Sequence, residues 1–519
     1  MNFTANDKVQ IEAHGLTLET VSRQLAVFRQ GIPTVQVQRE ATLGDGIRKM
    51  TNKEIDQYVQ RYEREQQGKD LLKFTPASGA ATRMFKFLYE FLDKYDLDQQ
   101  TINAFINKTR ATDLRLFFVG LDSFPFFREV RAAMIARYVD GDSTDINLNR
   151  VRFVKTMLTE DGLNYGAYPK GLFPFHKYKD HNASAFEEHL FEASKYAAKA
   201  GEARLHFTIS KQHYNNFKEE YKRIQDIVER KTNTRFKIDV SYQEPKTDTL
   251  AVNLNNEPYR DGQGRLFFRP GGHGALLDNL NEQEADIIFV KNIDNVVVFK
   301  YEDEIARYKK MLAGYLLEIQ NEVFQWLDRM DRGEVGVEDV ETLRSLLSDQ
   351  LGSELPDHFA KYSLENQLSQ IRELLDRPIR VCGMVRNEGE PGGGPFWVKN
   401  DNGIVSLQIV EGPQMDRSDP RQMELLSRST HFNPVDLVCG VKNYKGKRFD
   451  LVNYRDPKLA FIAQKSIGES KIRALEHPGL WNGAMAHWNT AFVEVPLITF
   501  NPVKTVNDLL KPAHQVPES

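Results

Sequence analysis

The chain has 519 residues, of which 40% are hydrophobic, 27% charged and 11% aromatic. This length and balance are typical of a globular protein with two or three domains. The formal net charge of −4 gives no general basic surface, so neither nucleic acid nor an anionic membrane is predicted as a partner. The only two cysteines, Cys382 and Cys439, exclude a disulfide scaffold and a cysteine-based zinc site.

The first residues, MNFTANDKVQIEAHGL, are polar and lack the apolar core of a signal peptide. No window of the sequence approaches the roughly 18 consecutive apolar residues that a membrane helix needs. We therefore expect a cytoplasmic protein without a membrane partner.

The predicted elements begin with a polar, helical cap over residues 1–70, in which apolar side chains recur at helical spacing. Residues 71–300 alternate between short apolar runs and helical patterns, which favours an α/β domain with a doubly wound, mixed and mainly parallel sheet. Within this domain, residues of about 100–160 read as a helical insertion. The predicted strands and helices are LLKFTP, RMFKFLYEFLDKYD, SAFEEHLFEASKYAAKA, ARLHFTIS, NNFKEEYKRIQDIVERK, RFKIDVSY, GRLFFRP and ADIIFVKNIDNVVVF.

The remainder of the chain divides into two predicted parts. Residues 301–376 are charged and helix-rich, as in EIARYKKMLAGYLLEIQNEVFQWLDRM. Residues 377–519 return to strand-like runs, such as PIRVCGMV and VDLVCGV, and form an α+β part.

The stretch TPASGAATRMFKF, residues 75–87, places small residues between a predicted strand and a predicted helix. An α/β protein needs such tight turns for packing alone. Small side chains at a helix start also let a phosphate approach backbone N–H groups that have no partner within the helix. The stretch is therefore either a plain turn or an anion site.

Two further motifs carry residues suited to anions. In YGAYPKGLFPFHKY, residues 165–178, Lys170 stands between a proline and a glycine, so it is either a solvated lysine or an anion ligand on a rigid turn. In FRPGGHGALLDNL, residues 268–280, glycines surround His273 at a strand end. That loop would suit a flat base or a phosphate, but it also fits a glycine turn without function, with His273 in a capping role.

The buried run in DIIFVKNIDNVVVF is followed by Lys291, Asn292, Asp294 and Asn295. In open α/β sheets, ligands lie outside the carboxyl ends of strands. An aspartate there is a natural ligand for Mg²⁺, which takes few carboxylates together with substrate phosphates. The segments 75–83, 168–171, 271–274 and 291–295 are expected to converge on one cleft.

In this order the motifs resemble those of the sugar-phosphate nucleotidyltransferases. ASGAATRM is similar to the signature loop that usually ends Gly-Thr-Arg-Met or Gly-Thr-Arg-Leu, and YPKGLFPF to the Pro-Lys-Gly/Ala motif. PGGHGAL followed by IIFVKNIDN resembles the Pro-x-Gly-His/Asn-Gly and Asn-x-Asp-Asn pair of UDP-sugar pyrophosphorylases. The resemblance covers residues 70–300 well and 377–500 loosely, as in an uncharacterised bacterial branch of the superfamily.

The resemblance implies a GT-A-like nucleotide-binding fold and an enzyme that joins a nucleoside triphosphate, favouring UTP, to a sugar 1-phosphate and releases pyrophosphate. It implies Arg83 and Lys170 as catalytic residues. It implies Mg²⁺ as cofactor, held by Asp294 and a second carboxylate, for which Asp436 and Glu411 are candidates. The implied nucleotide-binding residues are Ser78, Gly79, Ala80, Ala81, Thr82, Gln243, Gly272, His273 and Gly274.

The sequence departs from the family pattern in two places. Ala80 and Ala81 stand where the family typically has glycine, which adds methyl groups where phosphates would approach. Arg83 and Lys170 are separated by 87 positions, whereas the family has about a dozen, and the predicted insertion at 100–160 would account for the gap. The alternative is a catalytically inactive protein of the same fold that binds a nucleotide or sugar nucleotide.

Overall fold

The structure is a computed structural model that describes residues 3–139, 141–389, 392–468 and 470–516. The chain forms two compact units, each built from three segments. The first unit comprises Met1–Phe74, Ser241–Val290 and Tyr308–Pro496. The second unit comprises Thr75–Val240, Lys291–Arg307 and Leu497–Ser519.

The α-helices are distributed along the whole described chain. In chain order they are α1 (Ala5–Ala13), α2 (Leu18–Gln30), α3 (Asn52–Glu65), α4 (Lys86–Lys94), α5 (Ile102–Thr109), α6 (Thr112–Val119), α7 (Phe127–Arg137), α8 (Ile146–Leu158), α9 (Ala185–Tyr196), α10 (Tyr214–Thr232), α11 (Leu276–Asn281), α12 (Glu302–Asp331), α13 (Val340–Asp349), α14 (Leu364–Leu375) and α15 (Pro420–Ser427). None of the helices described is both long and apolar enough to cross a membrane.

The β-strands are short and concentrate in the first unit. In chain order they are β1 (Gln36–Glu40), β2 (Thr42–Leu43), β3 (Gly46–Arg48), β4 (Leu71–Pro76), β5 (Pro174–Lys177), β6 (Asn182–Ser184), β7 (Ala198–Lys199), β8 (Glu202–Thr208), β9 (Arg235–Ser241), β10 (Thr249–Leu250), β11 (Phe268–Arg269), β12 (Ile287–Val290), β13 (Ser353–Glu354), β14 (Ile379–Met384), β15 (Gly393–Lys399), β16 (Val405–Glu411), β17 (Asp436–Gly440), β18 (Phe461–Ile467), β19 (Ser470–Glu476) and β20 (Asn489–Glu494).

The first unit is organised by a mixed sheet in the strand order β2-β3-β20-β14-β17-β12-β4. Strand β17 runs antiparallel to both of its neighbours, whereas the other pairs of this series are parallel. Strands β12, β14 and β17 are buried along their whole length, which explains why their sequences are apolar except for Arg380 in β14 and Asp436 in β17. The predicted α/β class with a mixed sheet is confirmed.

The second unit places a sheet segment among helices. Strand β8 pairs with β7 and β9, and β5 pairs with β6 in a separate hairpin. Helix α9 begins at the N-cap Ser184, whose side chain accepts a hydrogen bond from the Glu187 N–H. The stretch predicted as a helical insertion carries α5 to α8, and its aromatic rings pack at the Phe126–Phe173 contact, with centroids 5.2 Å apart.

Two predicted elements need correction. Residues 1–70 are not helical throughout, because β1 to β3 lie between α2 and α3, where β1 pairs with β15 and buries Val37. The helix predicted to start near Arg83 begins only at Lys86. It is preceded by a 3₁₀ turn, Ala81–Phe85, so Arg83 lies before the α-helix rather than inside it.

Candidate functional site

The loop after β4 is open to solvent and has free backbone donors. Gly79 and Ala80 are exposed, and a methyl group added at Gly79 would meet no atom within 4 Å. Within the described residues, the N–H groups of Ser78, Gly79 and Ala80 have no acceptor. The Ser78 carbonyl accepts a hydrogen bond from the Ser210 hydroxyl at 3.0 Å, which fixes the start of the loop. The loop therefore offers consecutive donors to an anion without having to unfold.

A second segment lies directly beside this loop. The Ala81 N–H donates to the Tyr168 carbonyl at 2.9 Å, and the Lys170 N–H donates to the Gly79 carbonyl at 3.1 Å. The exposed Thr82 donates its hydroxyl hydrogen to the Gly166 carbonyl at 2.7 Å, which fixes the loop to this second segment. These contacts bring together two predicted motifs that are far apart in the sequence.

Lys170 and Asp294 form an ion pair at the same place. The Lys170 Nζ lies 2.5 Å from Asp294 Oδ2, and their side chains are 15% and 21% exposed. The approach depends on Gly171, since a Cβ there would lie 2.9 Å from Ile293 Cγ1. Three of the four segments expected to converge thus meet within the second unit. The fourth, 271–274, belongs to the first unit.

The segment that carries Asp294 is held from two sides. On one side, α9 supplies Glu192, which binds the buried Lys291 ammonium at 2.7 Å, and His189, whose Nε2 lies 3.2 Å from the Ile293 carbonyl. On the other side, Asn295 accepts a hydrogen bond from the Asn501 N–H at 2.8 Å. Lys291 therefore points into the interior of the unit, whereas the Asp294 carboxylate faces Lys170.

Arg83 projects from the 3₁₀ turn into solvent. Its side chain is exposed and has neither an ion pair nor a hydrogen bond with any other described residue. A guanidinium group presents five donors in a planar fork that matches phosphate oxygens. Arg83 thus lies on the same loop as the N–H donors, next to the segment that carries Lys170.

Asp294 could hold Mg²⁺ only as a single carboxylate ligand, together with substrate phosphates and water. Among the described residues, no group of three or more His, Cys, Asp or Glu side chains has the arrangement of a metal site. Mg²⁺ is commonly held by one or two carboxylates together with substrate phosphates and water. Asp294 can supply such a carboxylate, because it is partly exposed and its Oδ1 has no partner among the described residues.

The predicted base loop in the first unit is closed by its own packing. A Cβ at Gly274 would lie 2.0 Å from the Pro478 carbonyl oxygen, and one at Gly271 would lie 2.3 Å from the His477 ring. Gly272 has a φ of +80°, a conformation that glycine adopts readily. Gly271 and Gly274 are therefore needed for the loop to pack against His477 and Pro478, independently of any ligand.

His273 is held by the same segment. Its ring stacks on Trp481, with centroids 4.7 Å apart, and its Nδ1 accepts a hydrogen bond from the Leu480 N–H at 3.1 Å. Burial lowers the pKa of His273, which agrees with a neutral ring whose Nδ1 accepts. The contacts fit the capping role that the sequence left open.

The other predicted residues of the first unit differ in their surroundings. The Gln243 Nε2 is buried and has no partner among the described residues, so it is a donor available to a ligand. Asp436 begins β17, is buried, and is ion-paired with Lys309. Glu411 accepts a hydrogen bond from Asn482 at 2.8 Å, and burial raises its pKa.

Sequence reasoning missed the residues that position the site. The Glu192–Lys291 pair, the Asn501 contact and the Trp481 stack come from helices and loops far from the motifs in the sequence. The signal available for Glu192 is its place in the run EEHLFEASKY, where α9 buries Glu187, Glu188 and Glu192. A buried acidic residue requires a partner.

Comparison with known proteins gives a match to one family model, described as domain of unknown function DUF4301, over residues 4–515. The chain belongs to this family. No curated protein matches it.

Solved structures whose backbone is similar to that of this chain include UDP-sugar pyrophosphorylases. The UDP-N-acetylglucosamine pyrophosphorylase of Trypanosoma brucei is 11% identical, with 94% of this chain and 74% of that chain covered and a TM-score of 0.47. The UDP-glucose pyrophosphorylase of Leishmania major is 13% identical, with 98% and 79% covered and a TM-score of 0.43. The UDP-glucose phosphorylase of Trypanosoma brucei is 12% identical, with 97% and 77% covered and a TM-score of 0.43.

Proposed function

We propose that the protein is a nucleotidyltransferase of GT-A-like fold that joins a nucleoside triphosphate, UTP above others, to a sugar 1-phosphate. The observation that carries the proposal is the Lys170–Asp294 pair, 2.5 Å apart, beside a loop in which three N–H groups have no acceptor among the described residues. A polyphosphate with a divalent cation needs both kinds of charge at one place. This edge of the second unit supplies both.

The reaction is an attack by a phosphate oxygen of the sugar 1-phosphate on the α-phosphorus of the triphosphate. The bond from the α-phosphorus to the bridging oxygen of the β-phosphate breaks, and pyrophosphate leaves with that electron pair. Both reactants are polyanions, so charge neutralisation and positioning provide most of the catalysis. No protein nucleophile is needed.

The predicted site residues of the second unit each have a proposed part in this reaction. The N–H groups of Ser78, Gly79 and Ala80 bind the phosphates, and Arg83 holds the leaving β- and γ-phosphates with its planar fork. Lys170 neutralises charge on the phosphates that flank the reacting phosphorus. Ala81 and Thr82 shape the loop through their bonds to Tyr168 and Gly166.

One further assignment completes the proposal. Mg²⁺, bound at Asp294, would neutralise phosphate charge. Asp436, predicted from the sequence as the second carboxylate, belongs to the first unit, where the Lys309 ammonium compensates its charge. Gln243, Gly272, His273 and Gly274, predicted from the sequence to bind the nucleotide, belong to the first unit, where the Gln243 amide nitrogen has no partner among the described residues.

The alternative is a nucleotide or sugar-nucleotide binder without turnover. The specific observation in its favour is the chemistry of the loop itself. The Thr82 hydroxyl is used up in a hydrogen bond to Gly166, and Ala80 adds a methyl group at the exposed turn. The retention of Arg83, Lys170 and Asp294 in one unit favours the enzyme.

The deciding experiment measures pyrophosphate release from UTP and Mg²⁺ with a panel of sugar 1-phosphates. A thermal-shift panel of nucleoside triphosphates accompanies it, because a ligand that binds the folded state raises the melting temperature. Release with at least one sugar phosphate supports the enzyme. A UTP-dependent shift without any release supports the binder, and the absence of any shift contradicts both.

A further inference from the structure

The second unit contains a cavity away from the Lys170–Asp294 pair, with a volume of about 900 Å³. This volume lies within the range of about 300–1,000 Å³ typical of small-molecule pockets. Its wall is built from the end of β5 and the turn after it, from α9, from Phe299, and from the C-terminal segment around His514. None of the predicted site residues is among its lining residues.

One side of the cavity is a row of rings. The Tyr178 ring packs against Phe299, with centroids 5.8 Å apart, and stacks on His181, with centroids 5.6 Å apart and an angle of 30° between the planes. Phe299 is 57% exposed, so its ring is accessible to a ligand. Such a row suits the face of a flat ligand, since stacked rings attract beyond the area that they bury.

The charged groups of the lining are mostly lysines. Lys177 and Lys179 are exposed, and neither has an ion pair or hydrogen bond with any residue that the structure describes. Lys231 lies 3.8 Å from Asp180, so these two charges compensate each other. Asp122 is the remaining carboxylate of the lining. Among the lining residues that the structure describes, ammonium groups without a partner therefore outnumber such carboxylates.

The buried carboxylate behind the row of rings does not oppose this positive charge. Glu188 Oε1 lies 2.8 Å from the Tyr178 hydroxyl and 2.6 Å from His176 Nδ1. His176 Nε2 lies 2.9 Å from His514 Nδ1, and His514 Nε2 lies 3.0 Å from the Asn501 carbonyl. Tyr178, Glu188, His176 and His514 therefore form one continuous chain of hydrogen bonds that ends at the Asn501 carbonyl.

The direction of these hydrogen bonds follows from the carbonyl at their end. Because a carbonyl only accepts, His514 Nε2 carries a proton, and the Nδ1 of the neutral ring accepts from His176 Nε2–H. His176 Nδ1 then accepts from a protonated Glu188. Burial raises the pKa of Glu188 and lowers the pKa of His176 and of His514 to about 3, in agreement with an uncharged chain.

The neighbouring carboxylate, Glu187, is also compensated. Its Oε1 lies 2.7 Å from His181 Nε2, and its Oε2 lies 3.6 Å from the Arg223 guanidinium. The hydrogen bond to Glu187 raises the pKa of His181, which favours the charged ring next to the cavity. The wall therefore presents rings and positive charge together.

We propose that this cavity is a second ligand site that binds a flat organic anion, an aromatic ring that bears a sulfonate, carboxylate or phosphate group. The ring of the ligand lies on the row formed by Tyr178, Phe299 and His181, and its acidic group pairs with Lys177 and Lys179. The site is independent of the proposed nucleotidyl transfer. None of its lining residues belongs to the loop of residues 77–80, here called the phosphate loop after its proposed function, or to the Lys170–Asp294 pair.

The test uses the fluorescent probe 1-anilinonaphthalene-8-sulfonate, titrated into the folded full-length protein. N-phenyl-1-naphthylamine is the matched neutral probe, since it has the same rings without the sulfonate. The expected result is saturable binding of the sulfonate at one site, with affinity at least about fivefold above that of the neutral probe.

Two variants remove the recognition, and three matched variants leave it in place. Lys177→Gln with Lys179→Gln, and Phe299→Ala, should each weaken sulfonate binding by about three- to tenfold. Lys94→Gln with Lys237→Gln removes two exposed lysines of the same unit elsewhere, and Leu116→Ala removes another exposed apolar side chain. These controls, and Arg83→Ala at the phosphate loop, should leave the affinity unchanged.

Each outcome decides the proposal. Loss of affinity confined to the cavity variants, with melting curves unchanged, supports it. Equal binding of the two probes overturns the anion site. Sulfonate affinity that falls with Arg83→Ala but not with Phe299→Ala overturns it as well, because the probe then sits in the phosphate loop.

Discussion

The loop of residues 77–80 in the second unit and the loop of residues 271–274 in the first are both turns of small residues after a strand, but their residues are small for opposite reasons. A Cβ at Gly79 would meet no atom within 4 Å, and the N–H groups of residues 78–80 have no acceptor in the part of the chain that the structure describes. At Gly274 the space is filled by the Pro478 carbonyl, 2.0 Å from where a Cβ would stand. One loop is open to a ligand, and the other is closed by its own chain.

This difference shows what a glycine-rich turn means in a sequence. A small residue is selected either because a ligand approaches the backbone or because another part of the chain does. Both causes give the same kind of sequence, a run of glycine and other small residues. The surroundings separate them, and the open loop is therefore the stronger candidate for phosphate binding.

The largest expected effect is on turnover at the open loop. Arg83→Ala should lower the rate of pyrophosphate release on the order of 10²–10³-fold, about 3–4 kcal/mol, because a preorganised donor to charge in the transition state is lost. The melting curve should not change, since the Arg83 side chain is exposed and has no described partner.

The matched control for Arg83 is Arg128→Ala, which removes another exposed arginine of the second unit. It should change neither rate nor stability beyond about 0.5 kcal/mol. Equal losses of turnover in the two variants would contradict a special role for Arg83.

The next effect is on stability at the closed loop. Gly274→Ala should lower the free energy of unfolding by about 1–3 kcal/mol, since the added methyl group must displace the backbone at Pro478. Gly79→Ala, the matched change in the open loop, should stay within about ±0.5 kcal/mol. Urea denaturation measures both, and similar stability of the two variants would remove the distinction between the loops.

The fold could be predicted where one physical cause dominates the sequence. Strand β12 was predictable, because a strand buried on both faces is a continuous apolar run, and β14 and β17 were predictable because each departs from such a run by one charged residue. Strand β1, with the sequence QVQRE, was not. It buries only Val37, and its pairing with β15 joins residues more than 350 positions apart in the sequence.

The candidate site divides in the same way. Lys170 and Asp294 stand out because each lies on a short turn at a strand end or before one, but their ion pair joins residues 124 positions apart. No local pattern encodes such a contact. His273 shows the reverse case, since its position among glycines suggests a ligand and its contacts with Trp481 and Leu480 explain it from within the chain.

A smaller effect concerns the ion pair at the open loop. In a double-mutant cycle, Lys170→Met and Asp294→Asn should show a coupling energy of about 1 kcal/mol or less in unfolding, because both side chains are partly exposed. The exposed pair Lys195–Asp303 in the same unit is the control and should show less. A coupling of several kcal/mol would make the Lys170–Asp294 pair a structural element rather than a poised site.

The smallest expected effect is a pH dependence at the closed loop. Burial lowers the pKa of His273 below its unfolded value of about 6.5, so the unfolded state takes up a proton that the folded state refuses. The stability that the neutral ring contributes is therefore present above pH 6.5 and is lost as the pH falls below it.

His273→Asn keeps an acceptor near the Leu480 N–H but cannot titrate. Its free energy of unfolding should fall less than that of the wild type between pH 7.5 and pH 5.5, whereas Gly79→Ala should follow the wild type. Parallel curves for wild type and His273→Asn would show that the ring is protonated in the folded loop, and that the contact with Trp481 does not hold it neutral.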